Sequence, residues 1–585
     1  MGLLSKLRGI TADMPKALSR GAFVCVMLLA MIGQGAFSVF WCLGLDLLFL
    51  LYLMLCRQRV KMDAIAALLA ALPVFAAVSS LLNAANAYAA LCEIAKYLIY
   101  PLSYLALRSF ADRRFIETVL YRITVFLGAA GLLAMLGWEV MPGMVIAGSM
   151  RLQSFLQYAN TTAVLLGWGI FVCAARFWET RNLAYSLPLA ILTAALLLTK
   201  SRIVFWVFLL VLVLFCFDKL GTRGRIVFAA AAGVALVLLA VLGNRLFRIS
   251  LFEPTLVERF ITYADALRLL AGHPMGIGAG AWQYEQLLAQ SAPYYVKYIH
   301  SAFFQIALDA GIVGLGAFLA VAGLALRRGF RRRGTAFYGL LLLLLSSLLD
   351  AHLSFGLVIV FFTQAVDAVC GAPEEGVAAG GSVRVSARKK NARIARKDSA
   401  SPVSEVSPSV LFPPRRRVRW LMGVPACLLL AFLLSEALVL AGHMGFGGGL
   451  VAYRTAQAIN PANYTVFMQM AEVEKNRSAA LSYLEEGYAA NPDDWRFALE
   501  LSKGWSYAGD DERAIAYARR YFETHRYSAV SQRNFSEILD IARGREGISQ
   551  ERYDSELAQL ARDVENANAE INPWYRYINS ENLYS

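Results

Sequence analysis

Runs of about twenty apolar residues recur along this chain and limit the folds it can adopt. Twenty helical residues span the roughly 30 Å hydrocarbon core of a bilayer. Hydrophobic residues make up 58% of the 585 positions and charged residues 17%, whereas a soluble domain has about 25% charged residues. A soluble globule, a disulfide-rich secreted domain and a disordered chain are therefore excluded. Because the runs are about twice as long as barrel strands, the sequence predicts an all-α, polytopic membrane protein.

We expect about 12–13 transmembrane helices. The candidate segments are 22–40, 43–56, 63–80, 88–107, 117–137, 159–175, 183–199, 203–217, 226–243, 301–326, 335–349, 353–370 and 420–441. No small-x-small cleavage site follows the first segment, so it should remain as an anchor.

Lysine and arginine residues are concentrated in alternate connections between these segments. The basic connections lie near residues 57–61, 108–114, 176–181, 219–225 and 327–333, and those between them carry almost no positive charge. Because positive loops stay in the cytoplasm, the N-terminus should be cytoplasmic. The expected location is the cytoplasmic membrane, across which this charge rule holds.

The polar segments divide the chain into four parts. Residues 1–370 form the membrane domain, 371–419 a disordered basic linker in the cytoplasm, 420–441 an additional transmembrane helix, and 442–585 an extracytoplasmic domain. Residues 371–420 hold 11 Lys/Arg and 4 Asp/Glu, which gives +7 of the chain's net charge of +14. Contact with anionic membrane lipids explains this charge better than nucleic acid does, and no nucleic-acid partner is expected.

The C-terminal part contains an internal repeat. The strings AINPANYTVFMQMAEV and AANPDDWRFALELSKG align Asn460-Pro461 with Asn491-Pro492, and a weaker third unit starts near Tyr527. The spacing of 31–34 residues resembles that of tetratricopeptide repeats, in which helix pairs stack on one another. Such repeats could bind a protein partner or stack against their own chain.

Three arginines fall on the outer side, against the positive-inside rule. Arg151 lies in an outer loop, Arg202 in the turn TKSR, and Arg259 on an amphipathic helix in the long outer loop 244–300. Guanidinium groups in such places suit the binding of an anionic group. The alternative is that they extend toward lipid headgroups.

All five histidines fall on the outer side or at its membrane boundary: 273, 300, 352, 443 and 525. His300 opens a transmembrane helix, and a neutral imidazole there could act as a general base. It could instead be a helix-entry residue that bonds a backbone carbonyl. His352 is a second candidate beside Asp350, with a structural role as the alternative.

The strings ERFITYADALRLLAGHPMGIGAGAW and YIHSAFFQIALDAGIVGLGAF resemble the signature of the O-antigen ligase and polymerase superfamily. RLQSFLQYANTTA, LLTKSRIVF and SSLLDAHLSF resemble further motifs of that family. The similarity covers about residues 120–370, with Ser301 and Ser154 where the family commonly has Asn and Gly.

The resemblance implies transfer of a glycan from an undecaprenyl-diphosphate carrier to an acceptor hydroxyl on a glycan, lipid or protein, outside the membrane. It implies that His300, Arg202 and Arg259 are catalytic, with His300 as base and the arginines holding the diphosphate. The implied substrate-binding residues are Arg151, Gly276, Gly278, Gln305, Asp309, Asp350 and His352.

We expect no metal and no cofactor. The eight cysteines lie in or beside apolar runs without a CxxC motif, as buried thiols commonly do. The chain also has neither a D-x-D motif, which metal-dependent sugar transferases use, nor a phosphate-binding P-loop.

Several alternatives remain at this point. The motifs do not separate a ligase, which transfers a finished glycan once, from a polymerase, which extends a chain by repeat units. A transporter could use the intramembrane charges Asp46, Glu93 and Lys96, although Glu93 and Lys96 could simply pair on one helix face. A non-enzymatic envelope scaffold would use only the repeats.

Overall fold

The computed structural model describes residues 16–55, 62–83, 86–110, 112–221, 223–225, 254–371 and 415–576. These residues are predominantly helical, and their one sheet is a hairpin of β1 (Val145–Ile146) and β2 (Arg151–Leu152). The predicted all-α fold is confirmed. The predicted helix 226–243 and most of the linker 371–419 lie outside the described residues.

Fourteen helices make up the described part of the chain before residue 444. They are α1 (Lys16–Ile32), α2 (Val39–Leu55), α3 (Ala64–Asn83), α4 (Ala87–Ser109), α5 (Arg113–Met135), α6 (Ala159–Thr180), α7 (Ser186–Leu198), α8 (Arg202–Lys219), α9 (Pro254–Gly272), α10 (Trp282–Ala289), α11 (Ala302–Arg332), α12 (Thr335–Ser347), α13 (Gly356–Cys370) and α14 (Arg415–His443).

Six helices in the described part are long and apolar enough to cross a membrane: α3, α4, α5, α6, α11 and residues Gly423–His443 of α14. Shorter apolar helices stand beside them, among them α2, α12 and α13. Their apolar side chains form one continuous core, in which α11 packs on α3 and α4 packs on α2, α3 and α13. The chain is therefore a multi-pass helical membrane protein, whereas the total of 12–13 spans stays a prediction.

The first predicted helix, 22–40, is wrong at its C-terminal end. Helix α1 stops at Ile32, because Gln34, Gly35 and Ala36 all have positive φ angles, of 57°, 71° and 55°. The turn is fixed by the start of α13, where the Gly356 and Leu357 amides donate to the Ala36 and Gly35 carbonyls at 3.1 and 3.0 Å.

Basic residues pair with carboxylates at one end of the helix bundle. Arg108 contacts Asp63 between α4 and the start of α3, and Arg113 lies 3.4 Å from Asp367 near the end of α13. These pairs lie at the helix ends where the sequence places the cytoplasmic connections. The other connections meet at the opposite end, which the charge pattern predicts to be the outer one.

The C-terminal domain is a series of consecutive helices, each packed on the next. They are α15 (Leu450–Ile459), α16 (Val466–Val473), α17 (Arg477–Ala490), α18 (Trp495–Ala508), α19 (Asp511–Thr524), α20 (Ala529–Gly544) and α21 (Gln550–Glu570). Asn460 and Asn491, which the sequence aligns, end α15 and α17 in equivalent positions. A helical repeat is thus present, whereas its assignment to the tetratricopeptide family stays a prediction.

The C-terminal domain is docked on the end of the membrane domain that lies opposite these ion pairs. The Tyr464 hydroxyl accepts from the Asn86 amide at 3.0 Å and lies 2.7 Å from the Tyr284 hydroxyl. Helix α14 also packs along α2, and the Tyr88 hydroxyl donates to Glu436 of α14 at 2.9 Å. The two domains therefore share an interface that the sequence does not reveal.

Candidate functional site

Asp350 is the centre of a polar network between the ends of several helices. It lies in the connection from α12 to α13 and is 1% exposed. Its Oδ1 accepts from the Tyr158 hydroxyl and the Ala351 amide, both at 2.8 Å, and its Oδ2 accepts from the Asn160 amide. These bonds hold the carboxylate in one orientation.

Two cationic or titratable groups from the long outer loop face this carboxylate. The Arg259 guanidinium, near the start of α9, lies 3.7 Å from Asp350 Oδ2 and donates to the Leu349 carbonyl. The His300 imidazole has its Nδ1 3.5 Å from Asp350 Oδ1 and is 28% exposed. The Tyr263 hydroxyl donates to the His300 carbonyl and fixes its backbone. Arg259 and His300 are therefore brought to one carboxylate from 41 positions apart in the sequence.

Arg151 and Arg202 join the network through Asn160. Arg151 donates from Nη2 to the Asn160 side-chain oxygen and from Nε to the Thr199 carbonyl at 2.8 Å. The Ser201 hydroxyl donates to the same Asn160 oxygen at 2.8 Å. Arg202 follows Ser201 as the exposed first residue of α8. One amide thus links both arginine-bearing loops to Asp350.

The charges of the three arginines influence one another. Burial lowers the pKa of the Arg151 guanidinium, Tyr158 and Asp350 oppose this effect, and the positive charges of Arg259 and Arg202 add to it. Two guanidinium groups thus flank one carboxylate, Arg259 directly and Arg151 through Asn160, and Arg202 is near enough for its charge to act on Arg151. This excess of positive charge, in a partly buried setting, suits an anion with more than one negative charge.

Asp350 stays ionised at neutral pH. Burial alone would raise the pKa of its carboxyl. The polar contact with His300 and the positive charge of Arg259 outweigh burial and hold this pKa well below its usual range, and His352 adds to the effect only in acid, once its imidazole is protonated. A carboxylate with so low a proton affinity is a poor base, so its role is to orient its neighbours.

His352 lies behind Asp350 and is completely buried. Its Nδ1 is 3.0 Å from the Thr161 hydroxyl, and its Nε2 has no hydrogen-bond partner in the described part of the chain. Burial lowers the pKa of His352 to about 4, with a smaller opposing effect from Asp350. The imidazole is therefore neutral at physiological pH and, in this arrangement, out of reach of a substrate.

Gln305 and Asp309 belong to a different cluster. Asp309 accepts from the Gly280 amide at 3.0 Å, from Tyr97 at 2.9 Å and from Gln305 at 3.0–3.1 Å. The Gln305 oxygen accepts from the Ile299 amide at 3.1 Å. The adjoining cavity has a volume of only about 20 Å³, which is room for about one water molecule. In this arrangement both side chains hold the loop before His300.

Gly276 and Gly278 permit close packing of the outer loop. Both have positive φ angles, of 90° and 101°. A Cβ on Gly276 would lie 2.4 Å from Ser79 Oγ and 2.6 Å from the Leu308 carbonyl. Helix α11 breaks at Gly311 (φ 70°), where the loop crosses it and the Ile312 amide donates to Pro274. These glycines fix the loop that carries Arg259 and His300.

The sequence interpretation missed Tyr158, Asn160 and Ser201 as members of the site. All three lie inside the motifs, Tyr158 and Asn160 in RLQSFLQYANTTA and Ser201 in TKSR, so their place in the motifs was the available signal. No grouping of three or more His, Cys, Asp or Glu side chains that could hold a metal ion occurs within the described ranges.

Residues 187–319 match the family model described as O-antigen ligase. The match includes Arg202, Arg259 and His300, of which the last two face Asp350, and it supports placing the chain in the O-antigen ligase superfamily. No curated protein and no solved structure matches the chain.

Proposed function

We propose that this chain transfers a glycan from an undecaprenyl-diphosphate carrier to an acceptor hydroxyl at the outer face of the cytoplasmic membrane. The observation that carries the proposal is the placement of Arg259 and Arg151 in the hydrogen-bond network of Asp350, with His300 at its edge and Arg202 close enough to act on Arg151. The match to the O-antigen ligase family supports the same class of reaction.

The arginines account for the handling of the donor. A diphosphate carries two or more negative charges, and planar guanidinium groups bind its oxygens in pairs. When the bond between the first sugar and the diphosphate breaks, negative charge grows on the departing oxygen. Cations that the protein already holds in place stabilise that charge, because the site does not have to rearrange as the bond breaks. Arg202 and Arg259 have this role in the proposal, and Arg151 anchors Asn160 beside them.

His300 accounts for activation of the acceptor. Its Nδ1 faces Asp350 at 3.5 Å, which favours the tautomer with a proton on Nδ1 and leaves Nε2 as the base. Nε2 takes the proton of the acceptor hydroxyl while that oxygen bonds to the anomeric carbon of the first sugar. The bond from this carbon to the diphosphate breaks, and the carrier leaves as undecaprenyl diphosphate. The partial exposure of His300 gives the acceptor access.

Deletion of the gene in the native host, followed by size analysis of the surface glycans, tests the proposal. The same experiment distinguishes a ligase from a polymerase. If the protein is a ligase, finished lipid-linked chains should accumulate and none should be attached to the acceptor. A polymerase predicts that long chains disappear while single units are still attached. Unchanged surface glycans of normal length and amount would contradict both forms and favour a transporter or scaffold for another pathway.

A further inference from the structure

A cavity of about 500 Å³ lies where the C-terminal domain meets the outer loop. One wall comes from the ends of α9 and α10 and the residues that follow them, including Leu288 and Gln290. The other wall comes from the C-terminal domain, at Arg526, Tyr527 and Glu570. The volume is within the roughly 300–1,000 Å³ of small-molecule sites. The cavity therefore exists only while the two domains are docked.

The docking that forms the cavity is specific. The Asn572 amide, just after α21, donates to the Ser291 carbonyl at 2.8 Å. The Tyr575 hydroxyl donates to the Pro293 carbonyl at 3.1 Å, and its ring packs on the apolar cluster of the outer loop. The loop 291–293 is thus held by the last described residues of the chain.

The charges around the cavity are already paired. Arg526 contacts Glu570 at 2.9 Å, and Arg268 contacts Asp265 at 2.6 Å. Their net charge is therefore close to zero, unlike that of the arginines near Asp350. These side chains therefore do not form a second anion-binding site.

The remaining lining combines polar and apolar surface. Tyr527 presents a ring, with the Arg526 guanidinium 4.9 Å from its centroid, and Leu269 and Leu288 present aliphatic groups. Gln290 is 5% exposed, and its Oε1 has no hydrogen-bond partner among the described residues. Rotation toward the cavity would let this amide bond a ligand hydroxyl. Aromatic and aliphatic faces beside amides and paired charges suit a neutral saccharide, which has both C–H faces and hydroxyls.

The cavity and the arginine site are joined by one rigid element. Arg259 stands near the start of α9 and Arg268 near its end, nine positions later, which is about 14 Å along the helix axis. Nine positions are two and a half turns, so the two side chains project from opposite sides of α9. An oligosaccharide whose diphosphate rests at Arg259 would therefore pass around this helix to reach the cavity.

We propose that this cavity binds sugar units of the lipid-linked donor that lie several positions away from its diphosphate. The inference rests on the proposed function, because it takes the donor to be a glycan on a diphosphate carrier. The C-terminal domain would then help to select the donor, because it forms one of the two walls of the site for the distal sugar units.

The test compares two ligands on the purified full-length protein in nanodiscs. One ligand is the host's own lipid-linked glycan, and the other is undecaprenyl diphosphate without sugar. Leu288→Trp places a large ring in the cavity at a side chain that is 55% exposed. The matched control is Leu267→Trp on α9, which is 52% exposed and does not line the cavity.

Leu288→Trp should weaken binding of the glycan-bearing donor about tenfold, which corresponds to about 1.4 kcal/mol, and leave binding of the bare carrier unchanged. Leu267→Trp should leave both unchanged. Gln290→Leu, which removes the polar atoms, should weaken only the glycan-bearing donor, by about two- to tenfold.

Equal affinity of parent and Leu288→Trp for the glycan-bearing donor would overturn the cavity assignment, and so would an equal loss of affinity for the bare carrier. Failure of the parent protein to bind even the bare carrier would instead overturn the proposed function, since that ligand reports on the arginines alone.

Discussion

His300 Nδ1 lies 3.5 Å from Oδ1 of Asp350, although the two residues are 50 positions apart in the sequence. The carboxylate is also held by Tyr158 and Asn160, so its orientation does not depend on the histidine. A fixed, ionised carboxylate can therefore set both the position and the tautomer of the imidazole. This relationship makes Asp350 a positioning residue in the proposed reaction.

Asp350→Asn should separate binding from transfer. The change keeps the size of the side chain and removes the negative charge that competes with a diphosphate for the arginines. Donor affinity should stay equal or rise, whereas the transfer rate should fall by about 10²–10⁴, as expected when a general base is no longer aligned. Donor binding and single-turnover transfer are measured on the same preparation. Equal losses in both would indicate a purely structural role.

Replacing Arg202 or Arg259 with Ala should weaken the handling of diphosphate. Each change removes a charge-assisted pair of roughly 1.5–3 kcal/mol, so transfer should fall at least about tenfold. Lys should restore only part of the activity, because it keeps the charge and loses the planar fork. Arg562→Ala, on the exposed face of α21, controls for general effects of arginine loss. Full activity of both Ala variants would contradict the assignment.

His352 should make the protein less stable in mild acid. In the unfolded state the His352 imidazole has its ordinary pKa of about 6.5. In the folded state burial lowers this pKa to about 4. As pH falls from about 6.5 toward 4, only the unfolded state gains this proton, so stability decreases, by up to about 3 kcal/mol.

Thermal unfolding of detergent-solubilised protein at several pH values measures this effect. His352→Gln should flatten the dependence of the melting temperature on pH between 7 and 5. His443→Gln, at an exposed position, controls for loss of a histidine as such. If the melting temperature of His352→Gln depends on pH as that of the parent does, the buried imidazole is not the source of this dependence.

Gly276→Ala should destabilise the outer loop. The positive φ of 90° alone costs an L-residue roughly 1–2 kcal/mol, and the added Cβ would meet the Leu308 carbonyl at 2.6 Å. We expect a lower melting temperature together with lower transfer activity, because this loop carries Arg259 and His300. Gly316→Ala, in open space on α11, should be neutral or slightly stabilising. Equal melting temperatures for the two variants would refute the packing argument.

Topology was the part of the site that the sequence could predict. Apolar run length and the alternation of positive charge predict that Arg202, Arg259 and His300 lie at one end of the bundle, and the structure brings Arg259 and His300 to Asp350. The central position of Asp350 was not predictable, because its partners Tyr158 and Asn160 come from a distant helix start. Long-range contacts of this kind leave no periodic signal in the sequence.

The family resemblance implies a substrate-binding role for Gln305 and Asp309, whereas their contacts in the structure hold the loop before His300. Their positions one turn apart at a helix start are equally suited to a substrate and to the Gly280 amide and the Tyr97 hydroxyl. Only the packing of three separate segments distinguishes a substrate-binding role from a structural one. The docking of the C-terminal domain was hidden for the same reason, since Tyr464 meets Asn86 across 378 positions.

The most direct test of the account is His300→Ala in purified, folded protein, with donor binding and glycan transfer measured separately. The account predicts donor affinity close to that of the parent, because the arginines remain, and a transfer rate lower by about 10²–10⁴. Transfer at the parental rate by the folded His300→Ala protein would contradict the central claim that His300, oriented by Asp350, activates the acceptor.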